Sequence, residues 1–410
     1  MSSPPPSADV IRDLAWADHS SVVALIQELV RMPTRGGIDR YDRIIDYVTQ
    51  WLCNRGLPAR RLHDTKDGHV VALVCDIVGE GRGPHYVLDA CLDTAPFGDP
   101  AAWRHLPTSG TIEDGWLYGR GAADSKAAVA IFMHLAEHLC RMSQQLPGAL
   151  TLLFDADEHT GHFGGAKRYF GNSDTACDVD GVMIGYPGID ELVIGGRGFL
   201  RAQLTVRGRA GHTGSRRASH ASNAVEKAAD LVSILTRHRE PGPTDPTLGL
   251  PPRLTVTKIV GGEGYSIVPD RCVIDIDIRL TTRFNEAAAK KLLADASATI
   301  DNRWPVTSTT VDFHESWPAY RLPEHAPIRA ALQRAAKHHL AADVAAIVAG
   351  PSNIGNYLAR RGIDATAGFG VRYKALHATD ECIDIATIPL AQATYHEAVL
   401  ELLAGGPNEK

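Results

Sequence analysis

The 410-residue sequence is poor in cysteine, has no long apolar run and carries no strong excess of either charge. Its seven cysteines are odd in number, scattered and without a CxxC pair, which argues against a disulfide framework and a zinc knuckle. No stretch reaches the ~20 apolar residues that a transmembrane helix needs. Residues 1–6 contain neither the basic nor the apolar region of a signal peptide. We therefore expect reduced thiols, a cytoplasmic location and no membrane partner.

The composition is that of a globular protein and favours a small molecule over nucleic acid as its partner. A net charge of −6 gives no basic surface for nucleic acid or an anionic membrane, so we expect a small-molecule substrate and no nucleic-acid partner. Hydrophobic residues make up 44% and charged residues 22% of the chain, which gives no sign of extensive disorder. At the usual ~150 residues per domain, the length favours two domains.

Apolar periodicity predicts an α/β domain in the first half of the chain. Helical spacing and short apolar runs alternate, with helices at 20–30, 41–53 and 125–141 and strands at 85–88, 149–154 and 181–184. Such alternation is typical of a mostly parallel central sheet flanked by helices.

A second pattern begins near residue 196 and predicts an inserted α+β sandwich domain. Strands at 199–206, 253–260 and 272–280 surround an amphipathic helix at 221–238. Helix and strand signals then resume at 326–340, 344–348, 354–361 and 388–403. The predicted domains are therefore 1–195 with 309–410, and an insertion at 196–308.

Four polar segments follow or precede these elements where ligands bind in open α/β sheets. They span 88–94, 118–126, 154–161 and 370–381, and together they supply Asp, Glu, His and Cys. These residue types hold a borderline metal such as zinc.

The same segments carry a resemblance to a known family. The sequence resembles the M20 metallopeptidases and amidohydrolases, which include acetylornithine deacetylase, succinyl-diaminopimelate desuccinylase and carboxypeptidase G-like enzymes. The resemblance rests on the runs at 114–124, 157–158, 210–213 and 268–279 and on His377. It implies a zinc-exopeptidase-like domain with an inserted lid and dimerisation domain, hydrolysis of C–N bonds at two metals, and a homodimer through the insertion.

The family's metal positions carry altered residue types in this chain. By the resemblance, Asp124 matches the bridging aspartate, Glu158 the general base and His377 the last histidine ligand. A histidine ligand of the first metal is replaced by Cys91, its acidic ligand by Tyr186, and a glutamate ligand of the second metal by His159.

These changes predict at most one divalent metal, with zinc favoured and a metal-free state left open. Asp124, His159 and His377 form a reasonable set of two histidines and one carboxylate. The other set includes Tyr186, and a neutral phenol with a pKa near ~10 is a poor zinc ligand, so we expect that site to hold none.

The remaining candidate residues near this centre have more than one interpretation. Glu158 can be a solvated carboxylate at a helix start, but its place beside His159 after a strand favours an acid or base that acts with or without metal. Asp93 matches the family carboxylate that orients the first ligand. Cys91 can be a packing residue, a metal ligand, or a nucleophile or substrate contact. Tyr186 can be a core residue, or a hydrogen-bond donor or acid in the pocket.

Candidates for substrate binding come from both predicted domains. By the resemblance, His212 stabilises an oxyanion and Arg279 binds a substrate carboxylate. The alternatives are that His212 is a surface histidine and that Arg279 forms an ion pair on the strand surface. Ser266 lies where the family often has Asn, which implies a reshaped pocket, and Asn353 is a further candidate.

Three basic residues near these motifs are not expected to bind substrate or metal. Lys126, Lys374 and Arg372 are expected to be ion-pair or surface groups.

Three functional hypotheses follow. The first is a hydrolase that cleaves an amide or amidine bond in a small, amino-acid-like, carboxylate-bearing substrate. The second is a metal-independent cyclase or amide-forming enzyme of a specialised biosynthetic pathway. The third is a non-catalytic small-molecule-binding homologue, against which Glu158 argues, because a binding protein needs no general base.

Overall fold

A computed structural model describes residues 6–80, 83–171, 179–215 and 222–405. The described α-helices are α1 (Ala8–Val30), α2 (Asp42–Cys53), α3 (Ala127–Arg141), α4 (Gly164–Phe170), α5 (Ala224–Thr236), α6 (Glu286–Arg303), α7 (Pro327–Leu340), α8 (Ile354–Arg360) and α9 (Ile388–Ala404). Within the described ranges, no helix has both the length and the apolar character needed to span a membrane.

The described strands are β1 (Ala59–His63), β2 (Val70–Val78), β3 (His85–Cys91), β4 (Thr111–Glu113), β5 (Trp116–Tyr118), β6 (Ala149–Asp155), β7 (Gly181–Ile184), β8 (Glu191–Gly196), β9 (Gly198–Arg207), β10 (Gly211–His212), β11 (Arg253–Gly261), β12 (Ile267–Val268), β13 (Arg271–Leu280), β14 (Thr309–Trp317), β15 (Tyr320–Arg321), β16 (Ala345–Ala349), β17 (Tyr373–Lys374) and β18 (Cys382–Asp384).

The chain divides into two compact units. Unit 1 contains the described residues of 1–194, 322–347 and 353–410, and unit 2 those of 195–321 and 348–352. The sequence-based boundary at 308 therefore falls too early. The residues that follow it form β14, which pairs with β9 in the sheet of unit 2.

Unit 1 contains a five-stranded sheet that confirms the α/β class. Its order is β1-β2-β6-β3-β7, in which β3 runs parallel to both β6 and β7. The β1–β2 hairpin, which apolar periodicity did not predict, adds two antiparallel pairings, β1 with β2 and β2 with β6.

Side chains of β3 point alternately to the two faces of this sheet, so the polar site residues and the apolar core residues of the strand lie on opposite faces. Leu88 and Ala90 belong to the same apolar cluster as Phe132 of α3. Because successive side chains of a strand point to opposite faces, Asp89 and Cys91 lie on the other face. Cys91 is the last residue of the strand, so the chain that follows it begins at the sheet's carboxyl edge.

The amino-terminal helix is longer than predicted. α1 begins at Ala8 rather than near residue 20, and the Ser7 hydroxyl accepts a hydrogen bond from the Val10 N–H as its N-cap. Residues 1–5 of the leader lie outside the described residues.

Unit 2 is built on an antiparallel sheet of order β11-β13-β9-β14. One face of the sheet packs against α5 and α6 in a single apolar cluster that includes Ile274, Ile276 and Leu231. The opposite face carries the alternating polar residues of β13. α6 was missed in the sequence because its alanine-rich turns give a weak apolar stripe.

Candidate active site

The polar segments that the sequence singled out converge in unit 1. Cys91 ends β3, Asp155 ends β6, and Asp124 lies in an irregular turn directly before α3. The parallel strands β3 and β6 place their carboxyl ends side by side, with Cys91 opposite Asp155 in register. The loops that follow these strands therefore share one edge of the sheet, as the sequence predicted.

Glu158 is a buried carboxyl group with two close polar neighbours. The Tyr186 hydroxyl donates a hydrogen bond to Glu158 Oε1 at 2.5 Å, and His159 Nδ1 lies 3.5 Å from Oε2. Burial, together with the carboxylates of Asp124 and Asp93, raises the pKa of Glu158 to about 7, although His159 and the Tyr186 hydroxyl lower it. Near neutral pH, this carboxyl group can therefore both release and accept a proton.

Asp124 is the carboxylate around which the two site histidines lie. Its Oδ2 is 3.5 Å from His159 Nε2 and 2.9 Å from His377 Nε2. Burial alone would raise the pKa of Asp124, but His159 and His377 lower it below its ordinary value. For His159 the directions are reversed: burial alone would lower its pKa, but Asp124 and Cys91 raise it well above the usual range.

Asp93 holds the loop that presents Glu158 and His159. It is fully buried, and its carboxylate oxygens accept the backbone N–H groups of Glu158 at 3.1 Å and His159 at 2.8 Å. This contact gives a physical reason for an aspartate at this position even where Cys91 replaces a histidine, because the bonds reach the loop backbone and do not involve Cys91.

The turn that carries Asp124 is held by a buried ion pair that the sequence analysis missed. Glu381 Oε1 accepts the N–H groups of Gly121 and Ala123 at 3.0 Å each, while Oε2 lies 2.6 Å from Arg120 Nη1. Arg120 and Glu381 are 261 positions apart in the chain, and no local pattern links them. Arg120 lies in the polar segment 118–126 and Glu381 in the polar segment 370–381, and this polarity is the sequence signal that could have indicated them.

Cys91 lies beside Asp124 and is enclosed by the protein. Its Sγ is 3.5 Å from Asp124 Oδ1 and 3.1 Å from Ser125 Oγ, and its side chain is buried. Burial and the Asp124 carboxylate raise the pKa of the Cys91 thiol well above its ordinary value. A thiol held neutral is a weak nucleophile, so this environment disfavours the nucleophile interpretation. Its burial suits a packing residue, and its place beside Asp124 and His159 suits a metal ligand.

Tyr186 is held as a neutral phenol. Burial and the nearby Glu158 carboxylate raise its pKa well above the ordinary value. The hydroxyl donates a hydrogen bond to Glu158, so in this arrangement Tyr186 serves as a hydrogen-bond donor in the site.

One interpretation of the basic residues is wrong. Lys126 is 1% exposed, and its Nζ donates a hydrogen bond to the Met32 carbonyl at 2.8 Å, with no ion pair among the described residues. Burial lowers the pKa of Lys126 to about 7. By contrast, Arg372 forms ion pairs with Asp190 and Asp384, and Lys374 is an exposed group over the Trp116 ring.

The remaining predicted residues lie outside this cluster of contacts. His212, Ser266 and Arg279 belong to unit 2, where His212 is exposed on β10 and its Nδ1 accepts the Gly214 N–H. In unit 1, the Asn353 side-chain oxygen accepts the Gly355 N–H as the N-cap of α8. Their substrate-binding roles stay predictions.

The donor set of unit 1 fits one metal ion. Cys91, Asp124 and His159 each offer a ligand atom, and these atoms all lie within 4.8 Å of one another. Among the described residues, both buried ring nitrogens of His159 lack a hydrogen-bond partner of good geometry, and metal ligation would satisfy one of them. His377 Nε2, at 2.9 Å from Asp124, can complete the set in place of Cys91 or beside it.

The site can be compared with known proteins. The sequence pattern described as peptidase family M20/M25/M40 matches residues 87–401. Succinyl-diaminopimelate desuccinylase from Marinobacter nauticus is 26% identical over 329 residues, covering 79% of this chain and 85% of that protein. The enzyme of the same name from Cereibacter sphaeroides is 30% identical over 300 residues, covering 68% and 72% respectively.

A solved structure shows the same fold. The M20 family metallo-carboxypeptidase Sso-CP2 from Sulfolobus solfataricus superimposes with a TM-score of 0.75 at 18% identity, covering 93% of this chain and 99% of its own. The match to the family pattern spans most of the chain and includes each unit 1 residue of the candidate active site except Met32. The chain belongs to peptidase family M20/M25/M40 and is a hydrolase of C–N bonds.

Proposed function

We propose that the chain hydrolyses an amide bond in a small, carboxylate-bearing amino-acid derivative, with Glu158 as general acid and base. The observation that carries this proposal is a buried carboxyl group with a pKa of about 7, hydrogen-bonded to the Tyr186 hydroxyl at 2.5 Å. A general base is most effective when its pKa lies near the working pH, and burial supplies that condition here.

Glu158 carries out both proton transfers, and the residues around it hold it in position. Glu158 Oε2 takes a proton from water as the water oxygen adds to the amide carbonyl, and the same carboxyl group then protonates the departing nitrogen. The Tyr186 hydroxyl fixes Oε1, and Asp93 fixes the loop backbone on which Glu158 stands. Hydrolysis thus needs no second titrating residue for its two proton steps.

Asp124 and His159, with His377 or Cys91, would hold at most one divalent metal, and zinc suits these donors best. When bound, a metal of this kind polarises a carbonyl and lowers the pKa of a coordinated water. Tyr186 supports the limit of one, because its neutral hydroxyl is already engaged with Glu158.

Unit 2 would supply substrate recognition. We assign Arg279 to a substrate carboxylate, His212 to the oxyanion, and Ser266 to the pocket, with Asn353 of unit 1 as a further contact. The relatives named succinyl-diaminopimelate desuccinylase support a carboxylate-bearing substrate. Dimerisation through unit 2 and a cytoplasmic location belong to the same proposal.

The rival to this proposal is a metal-independent reaction that forms rather than cleaves an amide or ring. The enclosed, neutral Cys91 and Tyr186 favour it, because they stand where the family has metal ligands. Both readings use Glu158 as the acid and base, so metal dependence separates them.

The test measures metal content and activity together. The protein is purified without chelator or affinity metal, analysed for zinc, manganese and iron, and assayed against N-succinyl and N-acetyl amino acids with and without EDTA. The proposal expects about one metal per chain, chelator-sensitive hydrolysis, and a loss of roughly 10²–10⁴-fold in kcat for Glu158→Gln. Glu191→Gln, at an exposed position of β8 in unit 1, is the matched control and should retain activity.

Other outcomes count against the proposal. A metal-free protein whose activity survives EDTA but is lost in Glu158→Gln would replace hydrolysis at a metal by the metal-independent reading. A Glu158→Gln variant as active as Glu191→Gln would remove Glu158 from the chemistry and favour a binding protein.

A further inference from the structure

Three helices of unit 1 bring histidines together around His396 of α9. The His396 side chain is 2% exposed, and its Nε2 atom has no hydrogen-bond partner among the described residues. Its ring stacks on that of His138 of α3, with the ring centroids 5.9 Å apart and the ring planes at 17°. A neutral imidazole suits this position, whereas a protonated one would place an unpaired charge in a buried site beside a second imidazole.

The carboxylate of Asp18 on α1 is engaged by the neighbours of His396. Asp18 Oδ2 lies 2.6 Å from His138 Nε2 and accepts a hydrogen bond from Gln392 Nε2 at 2.7 Å. Gln392 precedes His396 by four residues, so both side chains lie on the same face of α9. In the described part of the chain, no carboxylate lies within ion-pair distance of His396 itself.

His339 of α7 is the third member of this histidine cluster. Its side chain is buried, and its Nε2 lies 2.7 Å from Glu397 Oε2. The other oxygen of Glu397 lies 2.9 Å from His338 Nδ1, so this carboxylate too is engaged. Burial lowers the pKa of His339, as do the positive charges of Arg12 and His338, although Glu397 opposes the shift.

The remaining elements beside α9 supply no charge that would compensate a protonated His396. The strand β3 directs Tyr86 toward the helices with its apolar residues, and burial raises the pKa of this phenol to about 12, so it stays neutral. The turn at 385–387 contains no titratable residue. Burial and His138 therefore lower the pKa of His396 to about 4, with a further contribution from His339 and against the opposing effect of Asp18.

Tyr395, the neighbour of His396, connects α9 to the candidate active site. Its hydroxyl donates to the carbonyl of Phe369 at 2.7 Å and to that of Ile184 at 3.3 Å. Ile184 is the last residue of β7 and precedes by two positions Tyr186, the hydrogen-bond donor of the site. The docked α9 thus helps to hold the strand end from which Tyr186 extends.

We propose that the histidine cluster is an acid-sensitive latch, in which protonation of His396 releases α9 and thereby loosens the segment that carries Tyr186. At pH 7 the ring is neutral whether α9 is docked or released, so docking is unaffected. Between pH 6.5, the ordinary pKa of histidine, and about 4, the released state binds one more proton, so docking weakens as the pH falls. These two pKa values predict an equilibrium constant for release that rises about 20-fold from pH 7 to pH 5.

Hydrogen exchange read by mass spectrometry on the full chain tests the latch. Exchange of the segments 388–404 and 181–190 is compared between the parent chain and His396→Leu, at pH 5 and at pH 7. Because both proteins are compared at the same pH, the intrinsic effect of pH on exchange cancels, and the ratio of their rates reports opening. For 388–404, the ratio of parent to variant should be about 20-fold larger at pH 5 than at pH 7, and 181–190 should change in the same direction.

Three further variants separate the parts of the latch. His69→Gln removes an exposed histidine of unit 1; it is the matched control and should exchange like the parent at both pH values. His396→Gln also lacks a titrating ring and repeats the test with a polar side chain, in case leucine disturbs folding. Tyr395→Phe keeps His396 but removes the connecting hydroxyl, so 388–404 should keep its acid response while 181–190 loses it.

Two results would overturn the inference. If acid opens 388–404 equally in the parent and in the His396 variants, His396 is not the group that senses pH. If 388–404 opens in acid in the parent while 181–190 stays unchanged, α9 does not act on the Tyr186 segment. Neither measurement uses a substrate, so both results are independent of the hydrolysis proposed above.

Discussion

Two buried aspartates near the end of β3 should respond in opposite ways to the same isosteric change. Asp93 accepts the backbone N–H groups of Glu158 and His159, whereas neither carboxyl oxygen of Asp89 has a hydrogen-bond partner in the described part of the chain. Both side chains are 0% exposed, so burial does not distinguish them. The difference between them is whether the ionised carboxylate has a hydrogen-bond donor: Asp93 has two, and Asp89 has none among the described residues.

Asp93→Asn should destabilise the protein. An amide has a single acceptor oxygen, so one of the two backbone N–H groups would face an NH₂ group. Losing one hydrogen bond to a charged acceptor and leaving a buried donor unpaired costs about 2–4 kcal/mol of unfolding free energy. The loop that carries Glu158 would also lose its anchor, so activity should fall with stability.

Asp89→Asn should be neutral or stabilising at pH 7. Burial, together with Asp155 and Glu158, raises the pKa of Asp89 well above its ordinary value. The folded state therefore keeps a proton that the unfolded chain releases near pH ~4, so stability falls as pH rises above that value, by about 1.4 kcal/mol per pH unit until the folded group ionises. Asparagine does not titrate, so the variant escapes this loss.

Urea unfolding at pH 5 and pH 7, followed by circular dichroism, tests both expectations. The midpoint for Asp93→Asn should fall at both pH values. The midpoint for Asp89→Asn, relative to the parent, should be higher at pH 7 than at pH 5. If the two variants lose the same stability, hydrogen bonding to the loop is not what Asp93 contributes, and the reasoning is refuted.

Two further changes test the site and its support. Tyr186→Phe removes the hydroxyl that lowers the pKa of Glu158, so the acidic limb of the kcat/KM profile, near pH 7, should move up by about one unit, and an unmoved limb would contradict the pairing. Arg120→Met leaves Glu381 as an unpaired buried charge beside the Asp124 turn and should cost about 3–5 kcal/mol in urea unfolding, whereas a cost under about 1 kcal/mol would show that the pair does not support the turn.

The sequence could place most of the site because its residues sit where regular elements end. Cys91 and Glu158 follow predicted apolar strands, and Asp124 precedes a long predicted helix. The periodicity of the apolar residues and the polar residues at the strand ends are therefore enough to predict that these side chains meet at the carboxyl edge of the sheet. The antiparallel β1–β2 hairpin was missed although β2 is a short apolar run, because β1 is mostly polar and exposed and gives no apolar alternation from which its pairing with β2 could be predicted.

Other features could not be predicted from local sequence pattern, because they depend on how far a side chain extends or on the register between two strands. Lys126 follows Asp124 in a polar run, yet its ammonium extends to the Met32 carbonyl, 94 positions away, and is buried there. Arg253 and Arg279 each lie on a predicted strand, but their opposition depends on the register between β11 and β13, which includes an irregularity between Val256 and Lys258. A one-residue slip would have placed them on different faces.

The two carboxylates that organise the site act through backbone groups, and this explains how its ligand chemistry can differ while its shape is kept. Asp93 binds the N–H groups of the Glu158 loop, and Glu381 binds those of the turn before Asp124. Backbone donors are the same whatever side chain follows them. Substituting cysteine, histidine or tyrosine at a ligand position therefore changes what the site can hold without removing the bonds that position Glu158 and Asp124 toward each other. The positions of Glu158 and Asp124 therefore depend on the backbone contacts of Asp93 and Glu381.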